Sequence, residues 1–195
     1  MTDSDVIAAV SETLRVRMTA ALAGLGVPVE LHDLATKPSE QSPRVTLFLY
    51  DLVEETATRN RAPSTVIVGG VPRSRRAPLS LCLHYMVTAW GGSRDTEQRM
   101  LGAVMQRMYE DAILDGPELA GSLAGDTAQL RVSLASMRID DRARVWWAIG
   151  RPYRLSVNYE VRVVDLDVTT STQIRPVTER VLASGVSPLP PGVTP

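Results

Sequence analysis

The sequence predicts an α+β fold: a mainly antiparallel sheet of about four or five strands packed against two longer helices and one or two short ones, with a long loop between two strands. Three observations carry this. Apolar residues recur with helical spacing in two long segments, and they alternate with polar residues at a period of two in two others. The elements run helix, three strands, helix, strand, helix, strand, which is not the strict alternation of a doubly wound sheet. At 195 residues, 44% hydrophobic and 22% charged, the chain is long and apolar enough to bury a core of its own. Residues 1–183 read as a single domain, and residues 184–195, with four prolines and no core pattern, as a flexible tail.

Taken in order, residues 4–24 place Val6, Ile7, Val10, Leu14, Met18, Ala21 and Leu22 on one helical stripe. Thr2, Asp3, Ser4 and Asp5 offer caps at its start, and Gly24 and Gly26 a stop. A short extended piece is expected over 27–34. Residues 44–53 are apolar at both alternating sets of positions, as in a strand covered on both sides. Residues 54–77 show no period beyond Val66-Ile67-Val68 and read as the long loop, a length that is usually functional or disordered. The strand at 78–90 sets Leu79, Leu81, Leu83, Tyr85 and Val87 against Ser80, Cys82, His84, Met86 and Thr88. From Ser93, Met100, Leu101, Val104, Met105 and Met108 follow a second helix capped by Ser93. A short helix is expected near 117–123, a strand through Leu130, Val132 and Leu134, a short helix at 140–149 capped by Asp140, and a strand at 153–163 with one buried and one polar face.

Composition removes several function classes. With 21 basic and 22 acidic residues the net charge is −1, which gives no field to gather phosphate backbones or anionic lipid. Lys37 is the single lysine, and no phosphate-cradling glycine loop precedes it. One cysteine, Cys82, forbids an internal disulfide and any multi-cysteine zinc site. The acidic start and the lack of a long apolar run predict a cytoplasmic protein with neither secretory signal nor membrane insertion.

Few residues suggest chemistry. Cys82 and His84 share one strand face, but at i and i+2 they stand ~6.5–7 Å apart at the backbone and read as packing residues. His32 is isolated. Gly91-Gly92-Ser93-Arg94-Asp95 opens like a nucleophile elbow, yet its closing glycine is Asp95, and a helix cap explains Ser93. Asp165 and Asp167 lack the further ligands of a calcium loop. No catalytic residue, cofactor or metal ligand is therefore assigned. The alternative is a small hydrolase or metal-dependent enzyme using His84 and Cys82, or Asp165 and Asp167. The long loop holds Arg59, Arg61, Arg73, Arg75 and Arg76 against Glu54 and Glu55, a basic excess suited to bidentate pairing with a partner's carboxylates. Adjacent Trp146 and Trp147 point about 100° apart on a helix, which places one of them at a groove or interface.

Four stretches then resemble one family: residues 5–14 (DVIAAVSETL), residues 45–50 (VTLFLY) followed by Arg59-Asn60, residues 78–91 (PLSLCLHYMVTAWG) and residues 151–161 (RPYRLSVNYEV). Residues 97–102 (EQRMLG) fit the same pattern. Together they are similar to the conserved N-terminal domain of the cap, or tail-terminator, proteins of phage-tail-like contractile injection systems. The chain departs from the pattern at Thr58, where the family often has an aromatic, and in its proline-rich end, where longer members continue. The resemblance implies a structural protein and no enzyme: a ring of copies, six in the family, on the baseplate-distal end of sheath and inner tube, ending their polymerisation. Its implied partners are itself, sheath protein and inner tube protein, with no nucleic acid. Arg59, Asn60, Arg61, Arg73, Arg75, Arg76, Trp146 and Trp147 are the expected interface residues.

Overall fold

In the computed structural model, residues 5–55, 62–75, 79–125, 128–166 and 171–173 are described. Three helices, α1 (Val6–Ala21), α2 (Arg94–Glu110) and α3 (Ile139–Ala148), accompany nine strands. These are β1 (Val29–Leu31), β2 (Arg44–Glu54), β3 (Ser64–Val68), β4 (Val71–Arg75), β5 (Leu79–Trp90), β6 (Ile113–Asp115), β7 (Gln129–Leu134), β8 (Ser156–Leu166) and β9 (Ser171–Gln173). The main sheet has six strands in the order β1-β2-β5-β8-β7-β6, and β3-β4-β9 form a second, three-stranded sheet. Every described pairing is antiparallel except β1 with β2. The α+β class is as expected. The mainly antiparallel sheet is as expected too; β1 falls within the extended piece expected over 27–34, while β6, three residues long, carries no readable period.

The two faces of the main sheet are built differently. On one, Val45 and Leu47 of β2, Leu83, Tyr85, Val87 and Ala89 of β5, Tyr159, Val161 and Val163 of β8 and Leu130 and Val132 of β7 lie beneath α1 and α2. The helical stripe supplies Val6, Val10, Leu14 and Met18 from α1, and α2 adds Met100, Leu101, Val104 and Met108. Polar groups along α1 are bonded within this core. Ser11 Oγ and Tyr85 Oη lie 2.8 Å apart in a hydrogen bond, and Thr13 Oγ1 donates to Ala9 O while accepting from Ala120 N. That last bond seats the turn at Gly121–Leu123 on α1. Gly121 is left-handed, and a Cβ on it would stand 3.3 Å from that of Ala9, so glycine suits both backbone and space.

Among the described residues, α3 covers only one end of the opposite face. Leu34, Met86, Trp90 and Trp146 form a second small core, with the rings of Trp90 and Trp146 edge to face at 6.3 Å. Leu34 is buried with φ 59, an unusual conformation for a bulky residue. His32 steadies it, its Nδ1 accepting from Leu34 N at 2.8 Å. The expectation that β2 is covered on both sides holds for its first half; Asp51, Leu52 and Val53 are exposed beyond the bulge between Leu49 and Asp51.

Several boundaries differ from expectation for local reasons. Asp5 takes the N-cap position of α1 without a side-chain cap bond; residues 1–4 lie outside the described residues. Ser93 caps α2 as expected, accepting from Thr96 N at 3.2 Å. Arg138, not Asp140, occupies the N-cap of α3, and Asp140 and Asp141 sit in its first turn, where the helix dipole favours them. The expected helix near 117–123 is two single 3₁₀ turns, Gly116–Glu118 and Gly121–Leu123. β8 starts at Ser156 because Arg154 is drawn away from the ladder: it donates to Ala89 O, pairs with Glu40 and Glu97, and stacks 4.4 Å over the Trp90 ring. Gly91, with φ 84, lets the chain turn against the backbone of 40–43, where a Cβ would meet Glu40 O at 3.0 Å. The expected tail, 184–195, lies outside the described residues.

Candidate interaction surfaces

The segment read as a long loop contains a hairpin. β3 and β4 pair from Ser64↔Arg75 to Val68↔Val71 around Gly69-Gly70, both with positive φ, the backbone a two-residue hairpin turn demands. Val71-Pro72-Arg73-Ser74-Arg75 has no apolar alternation and holds a proline, so periodicity missed it. The Gly-Gly pair was the signal that could have found it. Arg73 and Arg75, two apart on β4, pair in register with Gln173 and Ser171 of β9 as well as with β3, which ties the basic segment to residues far along the chain. Arg73 is half-buried. Arg59, Asn60, Arg61 and Arg76 lie outside the described residues, and the side chain of Ile67 on the hairpin is exposed.

The tryptophan pair divides as one-turn geometry requires. Trp146 is 1% exposed, and its Nε1 donates to Ser156 Oγ at 3.3 Å, so it belongs to the core and not to an interface. This corrects the expectation for that residue: its ring fills the space between α3 and the Trp90 side of the sheet. Trp147, 82% exposed, carries the outward ring.

A second exposed apolar region runs along the far side of α2. Met105, Tyr109 and Leu134 are exposed there around a groove of about 780 Å³ floored by Val132 and Tyr159. Leu134 lies on β7 beyond the stretch that β6 covers, so there the edge of β7 away from β8 has no strand beside it among the described residues. Neither Tyr109 nor Leu134 was singled out from sequence, because both continue a helix or strand pattern whose other members are core.

The uncovered end of the main sheet carries Cys82 and His84 of β5, with Asp51 opposite His84 on β2 and Glu160 opposite it on β8. Burial, reinforced by the neighbouring Glu160 carboxylate, pushes the Cys82 thiol up to about 11, so it is protonated at neutral pH and a poor nucleophile. His84 Nε2 stands 3.9 Å from its sulfur, a long hydrogen-bond contact well beyond the ~2.6–3.2 Å of a nucleophile–base pair. Asp165 sits within β8, and Asp167 lies outside the described residues. The buried Arg154–Glu97 pair over Trp90 was not picked out as a site; its bonds end on the chain's own Ala89 and Glu40, making it a clamp between β5, α2 and the segment before β2.

Against known proteins, the model of the Pvc16 N-terminal domain family matches residues 5–180. Two solved structures share the fold. One is the sheath/tube terminator, in the extended state, of the extracellular contractile injection system PVC: 22% identity, TM-score 0.55, covering 95% of this chain and 65% of that one. The other is the tube-terminating cap of the anti-feeding prophage: 21% identity, TM-score 0.58, covering 93% of this chain and 61% of that one. The chain thus spans less than two thirds of either. No curated protein matches it.

Proposed function

The chain belongs to the Pvc16 N-terminal domain family, and from that premise we propose that it is a structural cap of a contractile injection system. In this reading several copies, six as the family resemblance implies, form a ring. The ring binds the baseplate-distal end of sheath and inner tube and ends their growth, and the protein is a component of the assembled particle. The observation that carries the reading is the family match over residues 5–180, with a fold shared with two chains described as terminators.

The surfaces fit such a task. A terminator has to offer one face complementary to the last layer and no template for another. The segment of Arg59, Arg61, Arg73, Arg75 and Arg76 carries a basic excess whose chemistry suits carboxylates on a partner, and Trp147 is an exposed aromatic anchor of the kind that dominates interface energetics. The groove along α2 adds exposed apolar area that a ring contact would cover. The reading needs no enzymatic activity, and neither neighbour's description names one. No helix among the described residues is long and apolar enough to cross a membrane.

The test is charge reversal. Replacing Arg59, Arg61, Arg73, Arg75 and Arg76 together by Glu is expected to abolish attachment of the protein to purified sheath–tube particles while its circular dichroism stays unchanged. Unchanged incorporation of a folded variant contradicts the assignment of that segment. A purified protein that stays monomeric and never co-purifies with sheath or tube contradicts the cap reading itself.

A further inference from the structure

The uncovered end of the main sheet brings together side chains that the sequence keeps far apart. Cys82 and His84 project from β5 on the same face, and the antiparallel register sets Glu160 of β8 directly across from His84. One sulfur, one imidazole nitrogen and one carboxylate oxygen converge, all within 4.8 Å of one another. His84 Nε2 is 3.9 Å from Cys82 Sγ and 4.0 Å from Glu160 Oε2. From these three donors we propose a site for a single borderline-soft divalent cation, Zn²⁺ by its chemistry, that staples β5 to β8.

Three features of the geometry argue for it. Tetrahedral zinc at ~2.0–2.3 Å from its ligands sets donor pairs roughly 3.3–3.7 Å apart, so these donors have to draw together by between roughly 0.3 and 1.3 Å, a movement of side-chain torsions. Behind the ring, Asp51 Oδ2 lies 3.5 Å from His84 Nδ1, a buried nitrogen with no hydrogen-bond partner among the described residues, on the side where a carboxylate meets the other ring nitrogen of a metal-bound imidazole. The Glu160 carboxylate is divided, Oε1 accepting from Arg162 Nε at 2.6 Å while Oε2 faces His84. Arg162 therefore holds the carboxylate in place without occupying the oxygen that a cation would take.

The donor set of sulfur, nitrogen and oxygen suits zinc, and it disfavours Ca²⁺ and Mg²⁺, which take oxygen shells. Cys82 is buried and His84 and Glu160 half-buried, so the fourth position faces the open half of the sheet and is left for water. The site lies where β2, β5 and β8 run side by side and owes nothing to the cap reading; either can fail without the other.

The experiment uses the full chain without a polyhistidine tag. Equilibrium dialysis against Zn²⁺ is expected to give one ion per chain. Thermal unfolding is expected to shift upward by about 5–10 °C at a hundredfold excess over Kd. Co²⁺ is expected to add a near-ultraviolet thiolate-to-metal band and tetrahedral visible bands. Cys82→Ser, a near-isostere that keeps the fold, is expected to lose the near-ultraviolet band, and His84→Ala and Glu160→Gln each to weaken binding at least tenfold. No stoichiometric uptake, a cobalt band that persists in Cys82→Ser, or Glu160→Gln binding as tightly as the parent would each overturn the three-ligand site.

Discussion

The two faces of the six-stranded sheet differ in how much of their area is already satisfied by the chain itself. Under α1 and α2 the sheet is covered from β2 to β7, its side chains are aliphatic with a few aromatics, and polar groups along α1 are bonded within this core. On the other face α3 covers one end with a four-residue core, and the rest holds Asp51, His84, Glu160 and Arg162 in half-open surroundings. The difference separates tasks. The first face builds most of the core and leaves its apolar groove only beside α2, while the second keeps its charged groups in half-open ion pairs within the chain and Trp147 exposed.

The sharpest way to break this comparison is the tryptophan pair. Trp146→Ala is expected to cost about 3–5 kcal/mol by urea denaturation, since it removes the largest ring of the small core and orphans the Ser156 hydroxyl. Trp147→Ala is expected to change stability by no more than about 0.5 kcal/mol and to act only on assembly. Equal effects of the two would erase the distinction between covered and open surface.

Next in size is Asp111, whose buried carboxylate closes the α1/α2 side by accepting from both Arg17 and Arg107. Burial works to raise its pKa, but the two guanidinium groups outweigh burial and hold it below the ordinary carboxylate value. The unfolded chain therefore takes up a proton at a higher pH than the folded one, so this contribution is complete above about pH 4 and fades as pH falls through the lowered folded value. Asp111→Asn is expected to cost about 2–4 kcal/mol at pH 7 and to flatten the acid limb of a stability–pH curve. A variant that keeps the parent's acid limb contradicts the assignment.

Smaller effects probe the boundaries. Gly91→Ala forces an L side chain into φ 84 and its Cβ against Glu40 O, for an expected loss of about 2 kcal/mol in calorimetry. Ser93→Ala removes the one side-chain cap bond of α2 and is expected to cost about 1 kcal/mol. If Ser93→Ala cost more than Gly91→Ala, the turn before α2 would owe its shape to the cap and not to the left-handed glycine.

What was legible in the sequence follows the same division. The Val6-Val10-Leu14-Met18 stripe, the odd positions of β5 and the Tyr159-Val161-Val163 row could be read because a fully covered face imposes an uninterrupted period. The hairpin was not legible by period, since β4 is polar throughout, although Gly69-Gly70 marks its turn. The start of β8 was placed three residues early because Tyr153 and Leu155 prolong its alternation, while the anchoring of Arg154 on Trp90 and Glu97 takes that segment out of the ladder. Glu160 and Asp51 beside His84 were out of reach altogether. Their meeting depends on the register of three strands and on a bulge at Tyr50, neither of which single-chain spacing encodes.

The central claim is that this chain ends the growth of a sheath and its tube. The most direct measurement is the length distribution of particles assembled with and without it, imaged by electron microscopy. The account predicts uniform length with the protein and a broad distribution of uncapped tubes and sheaths without it, restored by adding the intact chain back. Particles of unchanged, uniform length in its absence would contradict it.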